Sequence, residues 1–145
     1  MNAADQAVDL ALTSRIATLV TLFRQEFPRA RADLRPWRHD ADTEVWTDPA
    51  SIDIAFHLPG WNPRYQCRSI LMQARLLTDT EGNRSRLLGI DLAGLNYTGE
   101  QWRLSTVGDW AVEGRAIPAE AIAEQLRCFC RQAFELFNYP TDPAS

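Results

Sequence analysis

The sequence predicts an α+β fold: an N-terminal helix, a four- to five-stranded antiparallel meander sheet and a C-terminal helix, packed as a two-layer sandwich. Three observations predict it. Apolar residues recur at helical spacing at both ends of the chain, the period falls to two between them, and the connections between successive strands are too short for parallel crossovers.

The first stripe is Leu12, Ile16, Leu19, Phe23 and Phe27, with Val8 one turn earlier and Val20 alongside; Pro28 ends it. Next, ADLRPWRH and TEVW are weak strand candidates, and Pro36 confines the former to a sheet edge. The sharpest strand is SIDIAFHL, in which Ile52, Ile54, Phe56 and Leu58 alternate with Asp53, Ala55 and His57 and so divide a core face from a wet one. LPGWNP reads as a turn into CRSILMQARLL, and DTEGN as a hairpin loop into RLLGIDLAGLNY, which is apolar enough to be central. A turn at Tyr97–Glu100 leads to QWRLSTVGDWAV, a fourth strand bent at Gly108. Ile122, Leu126, Phe129, Ala133, Leu136 and Phe137 form the last stripe, between Pro118 and Pro140. A helix of about twenty residues there spans close to 30 Å.

Residues 1–145 are expected to be one domain, with 139–145 a frayed tail. At 46% hydrophobic and 23% charged the composition is that of a globular protein. No apolar run approaches a membrane span, and Asp5 and Asp9 stand where a signal peptide needs a basic start, so a cytoplasmic location without membrane contact is expected. Cys67, Cys128 and Cys130 are odd in number, and a C-x-C pair on a helix points its side chains about 200° apart, which is poor disulfide geometry.

The chain has fifteen arginines and no lysine, which removes Schiff-base, pyridoxal-phosphate and Walker A lysine chemistry. Two histidines exclude a three-histidine metal site. No G-x-G-x-x-G or G-x-S-x-G occurs. No cofactor and no metal are expected. Asp40, Asp42 and Glu44 alternate like the start of a calcium loop, but Val45 and Ser51 occupy the positions where that loop needs Gly and Glu. The segment reads as a polar turn.

Cys67 and His57 fall on strands expected to be neighbours, so a nucleophile and base with Asp53 as orienter is conceivable; a buried thiol and a surface histidine are the plainer reading. The net charge is −4, yet PRARADLRPWRHD concentrates Arg29, Arg31, Arg35 and Arg38 around Trp37. Such a patch fits a carboxylate-rich protein partner, or less readily a single-stranded nucleic acid; equally its arginines can pair with Asp33, Asp40 and Asp42 in a solvated connection. Trp37, Trp46 and Trp61 crowd the turn-rich first half of the sheet, where exposed indoles beside arginines mark protein interfaces.

The leading expectation is therefore a non-catalytic protein-binding or assembly-factor module. Its partner surface would be Arg29, Arg31, Arg35, Trp37, Arg38, Trp46 and Trp61. The alternative is a small-ligand-binding or enzymatic domain with a cavity between sheet and helix, lined by Met72, Trp102, Trp110 and His57. Single-stranded nucleic-acid binding is third. LRPWRHDADTEVWTD and FHLPGWNPRYQCRS resemble segments of small cyanobacterial proteins, which implies a bacterial origin and no function.

Overall fold

In a computed structural model of the 145-residue chain, residues 1–37, 50–78 and 85–138 are described. The elements run α1 (Ala3–Gln6), α2 (Leu10–Glu26), β1 (Arg31–Asp33), β2 (Ser51–Asn62), β3 (Cys67–Thr78), β4 (Ser85–Asn96), β5 (Gly99–Ser105), β6 (Val112–Gly114) and α3 (Glu120–Asn138). The fold is α+β. Six strands form one antiparallel sheet among the described residues, in the order β1-β2-β3-β4-β5-β6, so every strand pairs with its sequence neighbours.

α2 begins later than the apolar spacing suggests. The Asp9 carboxylate accepts a hydrogen bond from the Leu12 amide at 2.7 Å and caps the helix there. Val8 therefore lies outside the helix, 77% exposed. Its other end is as expected: the Phe27 amide reaches the Phe23 carbonyl at 2.9 Å, and Pro28 has no N–H to extend the ladder.

Both long helices cover one face of the sheet. Phe23 stacks on Phe56 of β2, with centroids 3.8 Å apart and planes within 11°, and meets Phe129 of α3 edge-on at 5.2 Å. Beneath them lie Ile52 and Ile54, Ile70 and Met72, Ile90 and Leu92, and Trp102 and Leu104, alternate residues of four strands and all fully buried. Each such side chain contributes about 1.5–3 kcal/mol through burial.

The sheet departs from expectation in three places. First, it has six strands rather than four or five: QWRLSTVGDWAV does not run through as one strand. β5 stops at Ser105, and Trp110, with φ of +64°, sits in a left-handed turn that an extended strand cannot contain. The chain then returns as β6, antiparallel to β5.

Second, LPGWNP is not a turn. β2 continues through Pro59, Gly60 and Trp61 to Asn62, with a register shift after His57 that takes up the irregularity. The reversal is one step later, where Asn62 accepts the Arg64 amide on its side chain at 2.8 Å and the Tyr65 and Gln66 amides on its carbonyl at 3.1 and 2.8 Å.

Third, the alternate face of β2 is not wet. Asp53 is only 1% exposed and Ala55 is also buried. Residues before α1 close over this part: the Asp53 amide bonds the Met1 carbonyl at 2.8 Å, and Asn2 exchanges two 2.9 Å hydrogen bonds with the Trp37 backbone. TEVW, DTEGN, the acidic segment His39–Glu44 and the tail 139–145 lie outside the described residues.

Candidate functional site

Register decides which side chains share the sheet face opposite the helices. Phe56 points to α2, so His57 points away, and the residues paired with it, Arg31 and Ser69, point away as well. The next row is Asp33, Ala55, Leu71, Ala93 and Arg103. Because Ala55 is short and stands between larger neighbours, the face is indented there. A cavity of about 340 Å³ results, floored by Ala55, Leu71 and Leu95 and rimmed by Pro36, Trp37, Asp33, His57, Ser69, Arg68, Asn96 and Tyr97.

Its polar groups are held in place. His57 Nδ1 lies 2.8 Å from Ser69 Oγ and Nε2 lies 3.4 Å from Asp33 Oδ2. The carboxylate can only accept, so Nε2–H faces Asp33, and in the neutral ring Nδ1 accepts from the serine hydroxyl. Asp33 also accepts the Arg35 amide at 2.9 Å. The Arg68 guanidinium lies 4.3 Å above the Tyr97 ring centroid, and Tyr97 is 83% exposed. The Trp37 indole N–H donates to Asp53, which fixes the indole against the rim.

Asp33, His57 and Ser69 have the composition of a proton relay, yet Ser69 lies inside β3 with partners on both sides, His57 and Leu95. Its backbone is committed to the sheet ladders, unlike the free amides of an oxyanion hole.

The conceived Cys67, His57 and Asp53 trio is not brought together. Cys67 belongs to the core beneath the helices, on the other face from His57, and burial pushes its thiol up from 9.0 to about 12. Cys130 is raised to about 12 for the same reason. Asp53 is held by Trp37 and the Met1 ammonium. No group of three metal-binding side chains occurs among the described residues.

A second concavity, of about 520 Å³, opens at the end of α2. Phe27, Pro28, Arg29 and Ala30 form one wall, and Leu58–Asn62 with Tyr65 the other. It exists because β2 outruns β1: β1 covers β2 only at Ala55–His57, so the segment beyond is left facing the helix end. Trp61, which projects here, is 50% exposed.

The expected partner residues are thus divided. Arg29 and Trp61 line the same cleft. Arg31 stands on the opposite sheet face beside His57, Trp37 belongs to the open-face cavity, and Arg35 is tied to Asp5 at 2.9 Å. Arg38 and Trp46 lie outside the described residues. Arg29, Arg31 and Arg35 therefore do not share one face.

Met72, Trp102, Trp110 and His57 do not line one cavity. Met72 and Trp102 fill the core, Trp110 packs at 6.0 Å on Phe134, and His57 is across the sheet. Arg68, Ser69, Asn96 and Tyr97 were not singled out by sequence. Pairing β2 with β3 would have found Ser69, but that register depends on where the turn is placed.

No helix among the described residues is long and apolar enough to cross a membrane. No curated protein and no solved structure matches the chain. A family model described as a domain of unknown function matches residues 4–139, and the chain belongs to that family.

Proposed function

We propose that this protein is a non-catalytic binding module of the bacterial cytoplasm that receives an acidic segment of another protein in the cleft between Phe27–Ala30 and Leu58–Asn62. The observation that carries the reading is the pairing of Trp61, half exposed, with Arg29 in one cleft. An indole held half in water gains apolar burial when a partner covers it. Trp and Arg are also the residues most enriched where interfaces concentrate their energy. Arg29 pairs with no carboxylate among the described residues, so its guanidinium is available to grip one bidentately. Phe27, Leu58 and Tyr65 supply the apolar wall for an anchoring Leu or Phe of the partner.

Arg35 and Trp37 take a supporting role in this reading, since both are engaged within the chain. The test is an array of acidic peptides, each carrying one Leu or Phe, probed with the purified protein and with Trp61→Ala and Arg29→Ala variants. Trp61→Ala should weaken the best peptide by about tenfold or more. Arg29→Ala should weaken it and flatten its salt dependence. Thermal stability should hold in both. Peptide affinity indifferent to both substitutions overturns the reading.

A further inference from the structure

We propose that the cavity on the open sheet face is a separate site for a small aromatic carboxylate, its ring over Ala55 and Leu71 and its carboxylate on Arg68 and Asn96. The site is distinct from the peptide cleft and does not rest on it.

Shape comes first. The depression follows from one short side chain, Ala55, in register between Asp33 and Leu71. Its volume of about 340 Å³ lies at the small end of ligand-binding cavities and suits one or two rings. The floor is apolar, and the Trp37 indole forms one wall in an orientation set by its hydrogen bond to Asp53. A flat hydrocarbon body fits between these surfaces better than a branched or polar one.

Charge selects the head group. Arg68 meets no carboxylate among the described residues; its contact is the Tyr97 ring. The contact with that ring holds the guanidinium beside the cavity, where its N–H donors can grip a carboxylate. Asn96 supplies the second donor. Its Oδ1 already accepts the Thr98 amide at 2.9 Å, the Thr98 hydroxyl at 2.8 Å and Gln101 Nε2 at 3.0 Å. Those bonds orient the amide and leave Nδ2 uncommitted. Asp33, the one acid of the rim among the described residues, is occupied by His57 and the Arg35 amide, which lessens its opposition to an anion.

His57 and Ser69 then act as positioning groups. When the His57 ring is neutral with its proton on Nε2 towards Asp33, Nδ1 accepts from the Ser69 hydroxyl, so Ser69 Oγ offers lone pairs to a hydroxyl or amine on the ring.

The probes are 2-naphthoate and its neutral analogue 2-naphthamide, followed by amide chemical shifts and tryptophan fluorescence. The protein should bind naphthoate about tenfold more tightly than naphthamide, with shifts at Ser69, Leu71 and Leu95. Arg68→Gln should remove the preference. Tyr97→Ala, at an exposed position where folding is not at stake, should reduce it. Ala55→Leu should abolish binding of both compounds, and Trp61→Ala should change neither, which separates this site from the peptide cleft. The proposal is overturned if neither compound binds, if the two bind equally, or if the shifts map to Leu58–Asn62.

Discussion

Gly94 of β4 and Trp102 of β5 stand directly opposite each other, and the indole of Trp102 lies across the glycine, so that a methyl group added at Gly94 would overlap the ring. The same indole donates to the Tyr65 carbonyl at 2.8 Å, which ties the core end of β5 to the turn after β2. Gly94→Ala should therefore cost about 2–3 kcal/mol and lower the unfolding midpoint by roughly 5–10 °C, because a fully buried Trp anchored by its N–H has nowhere to move. A calorimetric midpoint unchanged by the substitution would show that the ring can shift.

Asp53 accounts for the orientation of Trp37. Replacing it with Ala leaves the indole N–H without its acceptor in a nearly closed environment and should cost about 1–3 kcal/mol. Released from its partner, Trp37 should be more hydrated, and tryptophan emission should move to longer wavelength in the folded variant.

Asn138 joins the last turn of α3 to the start of β4. Its Oδ1 accepts the Leu87 amide at 2.8 Å and its Nδ2 donates to the Leu87 carbonyl at 3.0 Å, so one side chain serves both backbone groups of one residue. Asn138→Ala should destabilise by about 1–2 kcal/mol. Asn138→Asp, which keeps an acceptor and loses the donor, should be no better. Hydrogen exchange at Leu87 should quicken in each.

The two core thiols give the fold a ceiling in pH. Cys67 and Cys130 rise from 9.0 to about 12 on folding. Below pH 9 both are protonated in either state and contribute no pH dependence. Above it the unfolded chain releases protons that the folded chain keeps. Stability should then fall between about pH 9 and 12, by about 1.4 kcal/mol per unit for each thiol. At pH 8 the folded chain holds both thiols in the protonated, unreactive form. Iodoacetamide should therefore modify at most Cys128, which is half-buried, until denaturant is added.

What could be read from the sequence was whatever a local period decides. Ile16, Leu19 and Phe23, and Ile122, Leu126 and Phe129, pack as their spacing requires, and Ile52, Ile54 and Phe56 face the helices. Pro59–Gly60 misled because those residues usually end strands, whereas an irregular, bulged stretch tolerates both. Asp53 misled because alternation says which face a side chain takes and nothing about what covers that face. Its cover, Met1–Asn2 and Trp37, comes from distant positions. The cleft held Arg29 and Trp61, which composition had picked out. The open-face cavity depends on register between β2, β3 and β4, which no short-range signal carries.

The three-residue strands at the two ends of the sheet bear on how the molecule behaves in a crowd of its own copies. A sheet offers a template for strand addition wherever a long edge is bare. Here the outermost strands, Arg31–Asp33 and Val112–Gly114, present only three residues each, and Arg31 and Glu113 place a charge on either border. β1 and β6 themselves add little edge, and the part of β2 beyond His57, which β1 does not cover, carries Pro59, which has no N–H to offer a second strand. Short, charged borders and a proline in the uncovered stretch all work against edge-to-edge addition of a second copy.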